Sequence, residues 1–274
     1  LATRVYRELG DAGMVMSLIK LEGLEDAHLL SGHLALIFDD HSAAQDHFLQ
    51  STRPLAALEM RRDLLHWEQA LKLAKTLATE QVPLISREFA KQLEFREQYD
   101  QALQMYQKGL GDQQVSTGFP WKDDPKHDQL CRTGVSKMMI RVGEVNRGVQ
   151  LALEGADREC CKACAELCES LKQLPDAARL YETAELPEKA AAIHIKVKNW
   201  GALGPLMSKI SSPKLHSEYA KAKEAEGNFQ DAVAAYEKAN DSDSVVKLLL
   251  TPQLNNPSRA MSLVRETKSP QGAL

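Results

Sequence analysis

The chain has 274 residues, of which 43% are hydrophobic and 26% charged, and its formal net charge is −4. This balance argues against general nucleic-acid binding, which requires a basic surface that neutralises phosphates, and the few aromatic residues do not alternate with Arg or Lys as base-stacking platforms. No stretch of the sequence approaches the roughly 18–20 apolar residues of a membrane span. We therefore expect neither a nucleic-acid partner nor a direct membrane span.

The first 110 residues carry helical spacing. Ala44 and Phe48 lie four apart, and Trp67 precedes Ala70 by three, as on one face of a helix. No run alternates apolar and polar residues with the β-branched enrichment of a strand. We predict an all-α fold. Prolines are expected to fall between the helical stretches and not inside them; these are Pro54, Pro83, Pro175, Pro187 and Pro205.

One element recurs three times along the chain. A large apolar or aromatic residue is followed after three residues by Ala, and after four more by Tyr. The three copies are Tyr99-Ala102-Tyr106, Leu174-Ala177-Tyr181 and Phe229-Ala232-Tyr236. This spacing is typical of the second helix of a tetratricopeptide-like hairpin. Three equal copies favour a repeat array over a plain antiparallel bundle, and their unequal intervals make the array irregular. The sequence therefore predicts an irregular tetratricopeptide-like helical-repeat solenoid.

Packing explains these residue types. The Ala lets the two helices of a hairpin approach closely, and the Tyr four residues later lies on the same face and fills the groove to the next repeat. In the third copy, Gly227 can take a positive φ and end the first helix, and Asn228 can cap the second. The predicted repeat-packing residues are Tyr99, Ala102, Tyr106, Ala177, Tyr181, Gly227, Phe229, Ala232 and Tyr236.

A polar stretch containing Gly and Pro interrupts the helical spacing at residues 111–128. It is too long for a tight hairpin turn. It divides the chain into helical repeats at 1–110, a loop insertion at 111–128 and further helical repeats at 129–274 of one continuous solenoid. We interpret the stretch as a surface insertion. The alternative is a partner contact in which Phe119 and Trp121 form an exposed aromatic anchor.

Four of the five cysteines cluster in one helical stretch. Cys160, Cys164 and Cys168 lie four apart and so form one stripe of a helix, in which Cys packs as a small hydrophobe. The spacing of Cys161 and Cys164 also suits a metal, but the second pair of ligands that structural zinc usually takes is missing. We favour core packing and predict no metal site.

The sequence lacks the motifs of the common catalytic sites. It contains no G-x-S-x-G elbow, no glycine loop for phosphate or dinucleotide binding, and no H-E-x-x-H zinc motif. Asp39, Asp40 and His41, with Asp46 and His47 nearby, offer ligand types in too small a set, and we place the first three in a turn. We expect no enzyme activity and no cofactor.

Longer strings are more specific than the repeat pattern, and they span nearly the whole chain. They comprise Tyr6–Val15, Ala56–Leu64, Gln92–Phe95, Ser211–Lys214, Tyr219–Ala225, Asn255–Pro257 and Val264–Thr267. In these strings the chain resembles the tetratricopeptide region of WD-repeat subunits of the intraflagellar transport A complex. Residues 111–124 and 160–168 depart from the resemblance, because neither stretch matches a feature of that family.

The resemblance implies a cellular role, which the residue patterns alone do not indicate. It implies a non-catalytic scaffold that supports retrograde transport along cilia and the ciliary entry of membrane-protein cargo. It also implies two β-propellers before Leu1 and more helices after Leu274, so that the chain is expected to be a fragment of a longer protein. The implied partners are other A-complex subunits of propeller-plus-helical-repeat type and membrane-cargo adaptors, and the implied location is the cilium or flagellum, the basal body and the cytoplasm. The repeat pattern leaves two alternatives open: a vesicle-coat-type scaffold and a peptide-binding repeat adaptor.

Overall fold

The computed structural model describes residues 1–111 and 125–267. These residues form 18 α-helices and one short 3₁₀-helix, Thr79–Gln81, with no β-strand among them. The predicted all-α, helical-repeat fold is confirmed.

The helices follow one another with short connections. Up to residue 111 they are α1 (Ala2–Glu8), α2 (Ala12–Leu21), α3 (Ala27–Ile37), α4 (His41–Gln50), α5 (Leu55–Asp63), α6 (Trp67–Leu77), α7 (Val82–Phe95) and α8 (Tyr99–Gly109). From residue 125 they are α9 (Pro125–Val142), α10 (Val145–Gly155), α11 (Arg158–Ser170), α12 (Leu174–Thr183), α13 (Pro187–Val197), α14 (Trp200–Leu206), α15 (Pro213–Ala225), α16 (Phe229–Lys238), α17 (Ser242–Leu249) and α18 (Pro257–Thr267).

The chain divides into two compact units, Leu1–Met138 and Met139–Leu274. In the first unit, each helix from α1 to α8 packs against the next one along the chain. In the second, sequential packing runs from α10 to α14 and from α15 to α18, and α13 also packs against α15. Helices that are neighbours in sequence are therefore neighbours in space, as a helical-repeat array requires. The predicted insertion at 111–128 falls largely outside the described residues, and the three-part division stays a prediction.

Turns of one kind join many of these helices. One residue of the turn has a positive φ, and the N–H of the next residue donates to the carbonyl five positions earlier, which satisfies the end of the preceding helix. Gly227 has φ +79°, and the Asn228 N–H donates to the Lys223 carbonyl at 2.9 Å. Glu97 and Lys172 take the same conformation, at φ +61° and +62°, although neither is glycine. These turns leave only two or three residues between helices and force the neighbours to run antiparallel.

The start of α16 differs in one detail from the sequence-based expectation. Asn228 occupies the N-cap position, but its side-chain amide donates to the Asp231 carboxylate at 2.8 Å and accepts no backbone N–H. The nearby carboxylate is a charged acceptor, which makes the stronger hydrogen bond. The side-chain cap expected at Asn228 is therefore absent.

Most of the prolines mark the first turn of a helix. Pro187 is the first residue of α13, and Pro83 and Pro175 are the second residues of α7 and α12, where a missing N–H costs little. Pro205 lies inside α14, so the expectation that it falls between helical stretches is wrong. Because Pro cannot donate to the carbonyl four residues earlier, α14 is short and ends one residue after it.

An alanine lies at the centre of each predicted hairpin. Ala102, Ala177 and Ala232 are fully buried, in α8, α12 and α16. Each of these helices packs closely on the helix before it. Since Ala has no side chain beyond Cβ, the two backbones can approach at this point, and the larger apolar residues pack around the contact.

Candidate functional site

Three tyrosine–glutamate pairs link the two helices of the predicted hairpins. In each hairpin, the Tyr of the second helix donates its hydroxyl hydrogen to a Glu of the first helix, twelve residues earlier. The pairs are Tyr106–Glu94 at 2.8 Å, Tyr181–Glu169 at 3.2 Å and Tyr236–Glu224 at 3.1 Å. A long side chain leans toward the N-terminus of its own helix, so the phenol reaches back to the end of the first helix. The repeated pattern thus includes a polar pair as well as an apolar contact.

These phenols remain un-ionised far above neutral pH. Burial raises the pKa of Tyr236 to about 12, and the hydrogen bond and charge of Glu224 add to the effect. Burial and the Glu94 carboxylate likewise raise the pKa of Tyr106. The neutral phenol is the form that can donate, so each pair is maintained at physiological pH.

Two of the three carboxylates also bind a lysine of a later helix. Glu94 pairs with Lys137 of α9, and Glu169 pairs with Lys196 of α13 at 2.8 Å. The Lys196 ammonium is the main cause that lowers the pKa of Glu169. One carboxylate therefore connects a hairpin internally and to the helices that follow. The sequence analysis missed these glutamates, although the constant interval of twelve residues before each Tyr was a usable signal.

Tyr106 also depends on a glycine in α9. A Cβ atom placed on Gly134 would lie 2.5 Å from the Tyr106 ring, closer than any real contact. The ring of Tyr106 therefore lies directly against the backbone of α9. The contact joins α8 to α9 through one ring, and the assignment of the three tyrosines to the groove between repeats stays a prediction.

The other predicted packing residues lie at the starts of second helices. Tyr99 and Phe229 are the first residues of α8 and α16, and both are half-buried. Phe229 packs against the core formed by α15 to α18. Phe119 and Trp121, the predicted partner contact, lie outside the described residues.

A buried cysteine–histidine pair lies near the end of α8 and the start of α9. Cys131 Sγ is 3.7 Å from His127 Nε2, which is 2.8 Å from the Gly109 carbonyl, and Arg87 is 3.0 Å from His127 Nδ1. Because Arg can only donate, Nδ1 accepts and Nε2 carries the proton that it donates to Gly109. Burial raises the pKa of Cys131 to about 11. The raised pKa keeps this thiol protonated at neutral pH, and a protonated thiol is a weak nucleophile.

The cysteine cluster lies in the core of the second unit. Cys160, Cys161, Cys164 and Cys168 are all buried in α11, among residues of α10, α12 and α13. The Cys161 thiol donates to the Ala152 carbonyl at 3.3 Å, and burial raises its pKa to about 11. Within residues 1–111 and 125–267, no three His, Cys, Asp or Glu side chains are arranged to hold a metal ion. The cluster functions as apolar packing.

Curated relatives match the chain along its length. WD repeat-containing protein 19 of Homo sapiens is 48% identical over 272 residues, which cover 99% of this chain and 19% of that protein. WD repeat-containing protein dyf-2 of Caenorhabditis elegans is 38% identical over 273 residues, which cover 100% of this chain and 19% of that protein. This chain is similar throughout to a segment of WD repeat-containing protein 19. The resemblance to a WD-repeat protein that the sequence predicts is confirmed.

The similarity concerns a helical segment of these relatives. The chain spans about a fifth of their length. WD repeats form four-stranded propeller blades, whereas the described residues of this chain are helical. The matched segment is therefore distinct from the WD repeats that give the relatives their name.

Comparison with solved structures finds tetratricopeptide proteins. A tetratricopeptide repeat protein from Parabacteroides merdae covers 85% of this chain and 98% of its own, at 13% identity and a TM-score of 0.34. No protein-family model matches the chain. Among the helices of the described residues, none is long and apolar enough to cross a membrane.

Proposed function

We propose that this segment is a non-catalytic scaffold of the intraflagellar transport A complex. In this role it supports retrograde ciliary transport and the ciliary entry of membrane-protein cargo through contacts between helical repeats and other proteins. Its partners are other A-complex subunits of propeller-plus-helical-repeat type, together with membrane-cargo adaptors, and nucleic acid is not among them. The protein acts in the cilium, at the basal body and in the cytoplasm. The observation that supports the proposal best is 48% identity to WD repeat-containing protein 19 along 99% of the chain.

The chemistry of the helices favours a scaffold over an enzyme. Polar side chains that lie close together in the structure connect one helix to another, as in the pairs Tyr106–Glu94 and Glu169–Lys196. The buried thiols of Cys131 and Cys161 have raised pKa values, so they lack the thiolate that a nucleophile requires. Helical-repeat folds usually function by presenting surfaces to partner proteins.

The proposal is tested in ciliated cells with the full-length protein. Three forms are purified by affinity tag: the intact protein, a form lacking residues 1–274, and a form in which an unrelated tetratricopeptide segment of equal length replaces them. Bound proteins are identified by mass spectrometry. The replacement is the matched control, because it preserves the spacing between the flanking regions and changes only the surface.

Recovery of A-complex subunits with the intact protein alone is the expected result. If A-complex subunits were also recovered with the replacement form, the segment would act only as a spacer. That result would contradict a role for its surface in binding. If A-complex subunits were recovered with the form that lacks residues 1–274, the segment would have no role in assembly. Recovery of vesicle-coat subunits with the intact protein would favour the coat-type alternative.

A further inference from the structure

A buried arginine holds two neighbouring turns of the first unit together. Arg61 of α5 is 8% exposed, and its guanidinium donates to the carbonyl of His41, the first residue of α4, at 3.1 Å and to Gln45 Oε1 at 2.8 Å. It also lies 3.1 Å from Nδ1 of His66, the N-cap of α6. The rings of His41 and His66 are 5.8 Å apart. The turn between α3 and α4 and the turn between α5 and α6 therefore lie side by side.

Large apolar side chains of these two turns face solvent. Phe38 directly follows α3 and is 79% exposed, and Leu34, one helical turn earlier on the same face, is 39% exposed. Leu65 is 54% exposed and has φ +57°. The left-handed conformation disfavours leucine, and an exposed leucine gains nothing from burial. The positive φ of Leu65 belongs to the turn that ends α5, in which the His66 N–H donates to the Arg61 carbonyl at 2.8 Å. The exposure of the three apolar side chains, however, stabilises nothing in the isolated unit.

Two exposed carboxylates lie next to these apolar side chains along the chain. Asp39 separates Phe38 from the start of α4, and Asp63 ends α5 just before the second turn. Among the described residues, neither has a cation within ion-pair distance, and both are exposed. The nearby cation Arg62 approaches Gln81 at 3.4 Å instead. We call the surface formed by Leu34, Phe38, Leu65, Asp39 and Asp63 the bridged-turn patch.

We propose that the bridged-turn patch docks a partner-protein segment in which Lys or Arg residues lie beside apolar ones, as on a basic amphipathic helix. The apolar groups supply the buried anchors and the unpaired carboxylates supply the complementary charge. The same negative charge opposes an anionic lipid surface and a second copy of the patch. The inference deepens the proposed scaffold role and rests on it for the identity of the complex, but the chemistry of the occupant follows from the patch.

The test places a photo-reactive benzoylphenylalanine at position 38 of the full-length protein in ciliated cells, and the cross-linked peptide is sequenced. The control places the same group at position 197. Val197 is also exposed, at 42%, and also directly precedes a positive-φ residue. The cross-link at position 38 is then repeated with Asp39→Lys. Its matched variant is Glu185→Lys, because Glu185 is an exposed carboxylate at φ +55° in a turn of the second unit.

The inference expects a defined adduct at position 38 whose sequence contains Lys or Arg beside apolar residues. Asp39→Lys should lower its yield about tenfold, which corresponds to about 1.4 kcal/mol, and Glu185→Lys should leave it unchanged. An acidic or uncharged adduct, an adduct within the same chain or with lipid, or an equal yield in both charge variants would overturn it. Because Phe38 is mostly exposed, the substitutions should leave folding intact, and a thermal melt verifies this.

Subunit recovery in the same purifications separates this inference from the proposed function. If A-complex subunits are recovered and no basic adduct forms, the patch assignment is wrong and the scaffold role stands. If a basic adduct forms with a protein outside that complex and no A-complex subunit is recovered, the patch assignment stands and the proposed function is wrong.

Discussion

His194 Nε2 lies 2.6 Å from Glu182 Oε1, and these residues are twelve positions apart, the same interval that separates Tyr181 from Glu169. Glu182 is near the end of α12 and His194 near the end of α13, so an imidazole takes the place of the phenol one helix later. Polar pairs at one interval thus join α11 to α12 and α12 to α13. The interval of twelve residues therefore results from the packing of antiparallel helices that short turns connect. It is not restricted to the second helix of a predicted hairpin.

Removal of the Glu182 carboxylate should weaken this connection. Glu182→Ala leaves the nearly buried His194 without its partner, and we expect a loss of about 0.5–1 kcal/mol in the free energy of unfolding, since the carboxylate is partly exposed. Urea denaturation of the 274-residue chain measures it. Glu185→Ala, three residues away in an exposed position, should change stability by less. Equal effects of the two substitutions would show that the pair contributes nothing.

Loss of the tyrosine hydroxyls should cost stability in each hairpin. Tyr106→Phe, Tyr181→Phe and Tyr236→Phe keep the buried ring and remove the bond to the glutamate, so each should destabilise by about 1 kcal/mol. The Tyr106 variant should show the largest change, because its hydrogen bond to Glu94, at 2.8 Å, is the shortest of the three. Tyr6→Phe, in the exposed first helix, is the control. Melting temperatures that match the control would contradict a stabilising role for the pairs.

The sequence predicts the apolar part of this arrangement better than the polar part. Helix periodicity alone places Ala102 and Tyr106 on one face of a helix, because they are four residues apart. Both residue types are typical of packed positions. The partners Glu94 and Lys137 come from other helices and depend on how those helices dock. The turns show the same limit: Gly227 is readable as a positive-φ residue, whereas the positive φ of Leu65 follows from tertiary structure and not from residue type. The partner contact at Phe119 and Trp121 stays a prediction.

A glycine-to-alanine change in α9 should destabilise, against the usual trend for helices. Alanine normally stabilises a helix interior by about 0.5–1 kcal/mol relative to glycine. In Gly134→Ala, however, the new methyl group would meet the Tyr106 ring at 2.5 Å, and we expect a net loss of about 1–3 kcal/mol. Gly155→Ala is the matched control, because Gly155 is helical and nothing lies within 4 Å of its added Cβ. Thermal unfolding of both variants decides, and a gain in stability at Gly134 would refute the close contact.

The five cysteines should report unfolding of the chain. All five are buried and none forms a disulfide. Burial raises the pKa of Cys131, Cys161 and Cys168 to about 11, so these native thiols carry little reactive thiolate. A colourimetric disulfide reagent at mildly alkaline pH should therefore label almost none of them in the native chain and all five in strong denaturant. Rapid labelling of Cys160 or Cys164 under native conditions would mean that α11 opens locally, and it would argue against their role as core residues.

Acid should remove a stabilising contact at the start of α3. The Asp26 carboxylate accepts from the Thr52 N–H at 2.7 Å, from the Thr52 hydroxyl at 2.8 Å and from the Leu29 N–H at 3.1 Å. These bonds lower the pKa of Asp26 from 3.8 to about 2, and the bond from the Thr52 N–H has the largest effect. The folded-state value lies below the unfolded one, so the contact stabilises fully above pH 3.8 and its contribution is lost as the pH falls from there through about 2. The difference in unfolding free energy between the unsubstituted chain and Asp26→Asn should therefore be larger near pH 5 than near pH 2, and Thr52→Ala, which removes only the hydroxyl, should reduce this pH dependence in part. A difference that stays constant between the two pH values would show that the Asp26–Thr52 bonds do not favour the ionised carboxylate in the folded chain.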